Sequence, residues 1–257
     1  MTNPWLRRFV PRPDCTARLF CFSHAGGGAA VFRPWADTLP AEVEVCAVQL
    51  PGRESRFREA PITAMQGIVD ALLPALLPDL DRPYALFGHS MGSLVAFEVA
   101  RALQRRGAPG AAHLLVSGRR APHLPEAETA VHALDDDAFV AEINRRYGGI
   151  PAEVLRHRDV LALLLPGLRA DMAAIETHRH ASGELLACPI SAFGGDADQR
   201  APLAQLQAWQ EHSHTPLRLR QFAGGHFYFN EAPQRAALLR EVETSLQPLL
   251  ASRVAAG

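Results

Sequence analysis

Gly88-His89-Ser90-Met91-Gly92 constrains this chain more than any other segment, because of what stands on either side of it. Tyr84-Ala85-Leu86-Phe87 before it is a short apolar run suited to a strand. Leu94-Val95-Ala96-Phe97-Glu98-Val99-Ala100 after it is suited to a helix. A G-x-S-x-G segment between strand and helix is a sharp, strained turn that exposes its serine hydroxyl. The flanking glycines are needed where a Cβ would strike the adjoining strand and helix. The bare pentapeptide occurs by chance, but in this setting it marks Ser90 as a nucleophile at the edge of a sheet.

The remaining chain supplies that sheet. Strand-like runs at Arg18–Ser23, Val43–Gln49, Tyr84–Gly88, His113–Ser117, Pro189–Phe193 and Leu217–Phe222 alternate with helical patterns. The helical stretches lie near Val31–Leu39, Ala64–Leu77, Ser93–Arg106, Leu203–His212 and Pro233–Leu250. This rhythm predicts an α/β class with a mostly parallel central sheet flanked by helices. Pro74 and Pro78 are expected to bend or end the second helix. From 119 to 187 no run reads as a strand, while Asp135–Tyr147 and Arg158–Thr177 are helical in pattern. The expectation is one domain spanning 1–257 with a helical lid, 119–187, inserted over the carboxyl edge of the sheet. A small structural subdomain without a gating role is the plainer alternative. Val254–Gly257 reads as a loose tail.

Composition narrows the chemistry. All 26 basic residues are arginine, which removes Walker A phosphate loops, Schiff-base enzymes, Ser-Lys dyads and kinases. Against 27 acidic residues they leave a net charge of -1, which argues against nucleic acid or an anionic membrane as partner. No apolar run approaches the roughly 18 residues of a membrane span. The first residues lack an export signal, so a cytoplasmic location is expected. Cys15, Cys21, Cys46 and Cys188 form no CxxC pair and no zinc spacing, so free thiols are expected. Neither a metal nor a cofactor is expected.

A serine hydroxyl is a weak nucleophile at neutral pH and needs a base oriented by an acid. With a strand–elbow–helix nucleophile the chain order is Ser, then Asp or Glu, then His. Of 11 histidines, His226 alone lies after a late strand in a glycine turn, Gly224-Gly225-His226-Phe227, before the last helix. It is the expected base. Gly194-Gly195-Asp196-Ala197-Asp198 follows the preceding strand and offers two acids. Asp198 suits the approach to the far ring nitrogen better, leaving Asp196 a turn former. Two backbone N–H groups are needed for the oxyanion: Met91, and Ala25 or Gly26 in the loop Ser23–Gly28. That loop lacks the G-x-G-x-x-G spacing of a dinucleotide cradle. His24 and His89 are expected to hydrogen-bond locally and shape their turns.

Taken together, His24-Ala25-Gly26-Gly27, Gln49-Leu50-Pro51-Gly52-Arg53, Gly88–Gly92, Leu168-Arg169-Ala170-Asp171 and Gly224–Phe227 run in order over nearly the whole chain. In this set the sequence resembles the stand-alone type II thioesterases of polyketide and nonribosomal peptide synthesis, within the α/β-hydrolase superfamily. The resemblance implies hydrolysis of acyl groups from the phosphopantetheine arm of acyl or peptidyl carrier proteins, or of small acyl thioesters, so as to free stalled or misprimed synthases. It also implies a mobile lid. The chain departs from the family in having Gln199 after Asp198 and no aromatic residue across Glu176–His180. Terminal, product-releasing thioesterase domains usually carry the acid after the strand that follows the elbow helix. Here that stretch, Leu114–Pro122, has no carboxylate. Carrier proteins of this kind are usually acidic, which makes Arg53, Arg56, Arg58, Arg119 and Arg120 candidate contacts. A free-ester carboxylesterase or lipase is the main competing activity. A non-catalytic scaffold is the competing class.

Overall fold

The structure is a computed structural model that describes residues 3–125 and 128–251. The tail at Val254–Gly257 lies outside the described residues. Seven strands form one sheet: β1 (Leu6–Arg7), β2 (Ala17–Phe22), β3 (Val43–Val48), β4 (Tyr84–His89), β5 (His113–Ser117), β6 (Ile190–Gly195) and β7 (Arg218–Phe222). Their spatial order is β1-β3-β2-β4-β5-β6-β7. β1 pairs antiparallel to β3, and every other pairing is parallel.

A parallel sheet is covered on both faces, so its strands read as continuous apolar runs while their side chains still alternate. β2 shows this directly. Phe20 and Phe22 join a core with Leu86 and Val116, covered by α2 (Met65–Leu76) and α3 (Met91–Arg105). Leu19 and Cys21 join the opposite core with Phe87 and Leu115, covered by α1 (Arg33–Thr38) and α8 (Ala232–Ala251). Each fully buried side chain of this size contributes about 1.5–3 kcal/mol before entropy is subtracted. The four cysteines are buried free thiols.

Between β5 and β6 the chain leaves the sheet and forms α4 (Asp136–Tyr147), α5 (Ala152–Arg156) and α6 (Arg158–Glu176). Asp135 caps α4 by accepting the Ala138 N–H at 2.9 Å, and Gly148, at φ 60°, ends it in the left-handed region. A last short helix, α7 (Leu203–Gln207), follows β6. Two short elements, β1 and α5, escape the sequence reading because neither is long enough to display a period. Pro74 does not end α2 but sits in its last turn, and Pro78 falls in the 3-10 turn Leu77–Asp79 that follows. No helix among the described residues is long and apolar enough to cross a membrane.

Candidate active site

Ser90 stands between the end of β4 and the start of α3 with φ 55° and ψ -116°, a conformation strained for any side chain. Close packing holds it there. Its N–H donates to the Ser117 carbonyl at 2.7 Å, and the Ser93 hydroxyl ties down the Gly88 carbonyl at 2.8 Å. A Cβ on Gly88 would lie 2.1 Å from the Gly92 oxygen, and one on Gly92 would lie 2.0 Å from the Phe22 oxygen. Both glycines of the pentapeptide are therefore steric requirements of the elbow.

The loop after β7 brings His226 onto this serine. Its Nε2 is 3.0 Å from Ser90 Oγ, and its Nδ1 is 2.9 Å from Asp198 Oδ2. All three residues are buried. A hydrogen on Nδ1 makes Nε2 the acceptor for the serine hydroxyl. Asp198 is held in turn by the Arg200 N–H, which donates to Oδ1 at 2.8 Å. Asp196 points elsewhere and is exposed. Its Oδ1 accepts the Gly224 N–H at 2.9 Å, joining the two glycine turns that carry Asp198 and His226. Gly118 ends β5 at φ 59°, where a Cβ would be 2.5 Å from His89 and 3.4 Å from His226.

His89 lies under His226, its Nδ1 2.9 Å from the Ser117 hydroxyl, which is 2.8 Å from the Tyr228 hydroxyl. Burial, then the His226 charge, push His89 well below the ordinary histidine range, so it stays neutral. His24 differs from expectation. Its buried Nδ1 has no hydrogen-bond partner among the described residues, and the ring packs edge-on against Phe227 at 4.9 Å between centroids. Burial, with His226 and Arg53 nearby, lowers it to about 4.

The loop after β2 turns sharply: Gly27 N–H donates to His24 O at 3.0 Å, with Gly26 at φ 76°. This is the type II pattern, which needs glycine at its third position. Gly26 N–H, one of the two expected oxyanion donors of this loop, is already engaged; it donates to Asp171 Oδ2 at 2.7 Å. The Ala25 and Met91 N–H groups make no such bond among the described residues.

Two of the arginines expected as candidate carrier contacts are internal. Arg53 is buried and grips Asp171 of α6 with both terminal nitrogens at 2.7 Å. Arg56 is buried against the Trp5 ring, paired with Glu59 and donating to the Gln49 carbonyl at 3.1 Å. Arg58 is exposed. Arg119 and Arg120 are half-buried and line a small cleft with Ser90, Tyr147, Arg200 and His226.

Ser90 also borders an apolar cavity of about 290 Å³. Its walls come mainly from the insertion: Ile143 and Tyr147 of α4, Val154 of α5, and Leu165, Leu168 and Met172 of α6. Its floor is His24, Ala25, Gly26, Ser90 and His226. A neutral apolar chain attached to a carbonyl at Ser90 fits this chamber chemically.

The thioesterase domain model matches residues 17–246. The chain belongs to the thioesterase family. It is 42% identical over 228 residues to thioesterase PikA5 of Streptomyces venezuelae, covering 88% of this chain and 80% of that one. It is 38% identical over 230 residues to gramicidin S biosynthesis protein GrsT of Aneurinibacillus migulanus, covering 90% of each. The solved type II thioesterase BorB, from the borrelidin biosynthetic cluster, superposes with a TM-score of 0.85 at 38% identity, covering 94% of this chain and 97% of that one. The thioesterase thus has the α/β-hydrolase fold and belongs among type II enzymes of polyketide and nonribosomal peptide pathways. Asp171 of this thioesterase had no assigned role in sequence. Its partners Arg53 and Gly26 are 118 and 145 residues away, so only the fold reveals the contact.

Proposed function

We propose that the enzyme hydrolyses acyl groups from the phosphopantetheine arm of an acyl or peptidyl carrier protein, with Ser90 as nucleophile, His226 as base and Asp198 as its orienting acid. One observation carries this reading: the unbroken Ser90–His226–Asp198 chain, at 3.0 and 2.9 Å, whose Ser90 and His226 line an apolar chamber. Ser90 Oγ attacks the thioester carbon as its proton passes to His226 Nε2. The oxyanion is met by the Met91 and Ala25 N–H groups. Collapse breaks the C–S bond, and the thiol leaves with the proton from Nε2. A thiol's pKa, about 8.5, makes it a far better leaving group than an alcohol. Water then gives a proton to His226 and its oxygen to the acyl carbon, and Ser90 is restored as the free acid departs.

The arginine-lined cleft beside Ser90 supports arrival of the arm from that side, with Arg119 and Arg120 nearest the carrier. Homologues of polyketide and nonribosomal peptide pathways support the carrier-bound substrate. The helical insertion, read as a lid, shields the acyl-enzyme from water other than the attacking molecule.

The test is turnover of an acyl group loaded on a carrier protein. Folded Ser90→Ala is expected to lose at least about 10³-fold in kcat and to resist a fluorophosphonate probe that labels the parent protein. Retained hydrolysis by that variant would remove Ser90 from the mechanism. Faster turnover of the matching free oxygen ester than of the thioester would point to an esterase instead.

A further inference from the structure

Asp171 is one of the most deeply buried acids in the enzyme, and it belongs to the insertion rather than to the sheet. Its Oδ2 accepts from both Arg53 Nη1 and Gly26 N–H, each at 2.7 Å, while Oδ1 accepts Arg53 Nη2 at 2.7 Å. Arg53 Nη1 also donates to the Gly27 carbonyl at 3.2 Å. One turn of α6 therefore sits on the loop that bears Ala25. The packing is equally direct: a Cβ on Gly26 would be 3.1 Å from Leu168, and one on Gly167 would be 3.2 Å from the Gly52 oxygen.

These contacts define both peptide planes around Ala25. The plane that carries Ala25 N–H is set by its own carbonyl, His24 O, which accepts from Gly27 N–H. The next plane is set by Gly26 N–H on Asp171. Asp171 holds Gly26 N–H, and the Arg53 it clamps holds the Gly27 carbonyl, so losing Asp171 frees the end of the turn whose Gly27 N–H fixes the plane of Ala25 N–H. Leu165, Leu168 and Met172 of the same helix wall the acyl chamber.

We infer that Asp171, clamped by Arg53, is a positioning residue that aims the Ala25 N–H at the oxyanion and makes that aim depend on the seating of α6. This rests on the thioesterase mechanism above. Arg53 also cancels a carboxylate that would otherwise oppose the developing negative charge nearby. An acyl chain that seats α6 thereby completes the site that hydrolyses it.

Steady-state hydrolysis of an acyl-N-acetylcysteamine thioester by folded Asp171→Ala and Asp171→Asn tests this. Asp171→Ala is expected to lower kcat about tenfold to hundredfold with KM changed less than about threefold. Asp171→Asn, whose remaining oxygen still accepts from Gly26, is expected to fall less. A kcat for Asp171→Ala within about twofold of the parent overturns the inference, as does an equal fall in both variants or a loss carried wholly by KM. If Asp171→Ala does not fold, Arg53→Met decides. It leaves the carboxylate unpaired and is expected to lose more kcat than Asp171→Asn, and parent-like kcat overturns the inference. Failure of the parent protein to hydrolyse the thioester would instead overturn the mechanism on which this rests.

Discussion

Two aspartates two residues apart, Asp196 and Asp198, have different work because the turn after β6 sends their side chains in different directions. Asp198 turns inward to His226, and Asp196 turns outward to cap the Gly224 N–H. An acid that orients a base acts on the imidazole tautomer, so its amide analogue preserves shape but favours the wrong one. Asp198→Asn is therefore expected to lower kcat about 10³- to 10⁴-fold with little change in KM, measured on a small acyl thioester. Asp196→Asn is expected to stay within about tenfold, since an amide oxygen still accepts from Gly224. The spacing after Gly195 favours Asp198 in the sequence alone, yet the choice between the two rests on a turn whose direction no local pattern specifies.

At the level of elements, α6 combines two duties: it walls the apolar cavity beside Ser90 and carries Asp171. Its hydrophobic pattern over Arg158–Glu176 is legible in the sequence, and Pro166 does not interrupt it. Which face of it meets the chamber is not, because the helix is apolar on more than one side; Leu163 and Leu164 remain exposed. Met172 lies on the chamber wall beside Ile175 and Leu168. Enlarging it to Trp fills space that the far end of a chain would occupy. Met172→Trp is expected to reduce kcat/KM for an octanoyl thioester at least about tenfold more than for an acetyl thioester, in line with the roughly 1–3 kcal/mol that one methylene's room is worth. Equal losses for both substrates would place Met172 outside the chain path.

Across the whole molecule, stability is tied to histidines that the fold keeps neutral. Burial, reinforced by Arg218, lowers His113 to about 4. Burial also lowers His212 to about 4, helped by His123, His180 and Arg101 and opposed by Glu98. His212 Nε2 lies 2.8 Å from His123 Nδ1, and Glu211 lies 3.4 Å from the other side of that ring. In the unfolded chain these histidines protonate near their ordinary value of 6.5, whereas in the folded protein they resist it until about pH 4. Between those values the unfolded state binds more protons, so stability is lost as pH falls through that window and is level above it. The thermal midpoint is expected to fall by several degrees from pH 7.5 to pH 5, and His113→Asn is expected to flatten part of that slope. A midpoint independent of pH over this range would contradict the burial argument.

The elbow, the alternation of strands and helices, and the helical character of 119–187 are carried by short-range chemistry, which is why they can be read in order along the chain. Glycine spacing and apolar period depend only on neighbours within a few residues. The exclusion of lysine chemistry needs only the residue count. What folding adds is convergence. Arg53 and Arg56 read as carrier contacts because they fall in loops expected near the sheet's carboxyl edge, but the fold buries them against Asp171 and Trp5. Gly26 reads as an oxyanion donor because it follows the first core strand, but an acid 145 residues later occupies its N–H. The histidines at 123, 180 and 212 meet only once the two ends of the insertion are brought together over Trp209. Such contacts depend on the path of the chain through space, and a buried polar group declares its partner only when that path closes.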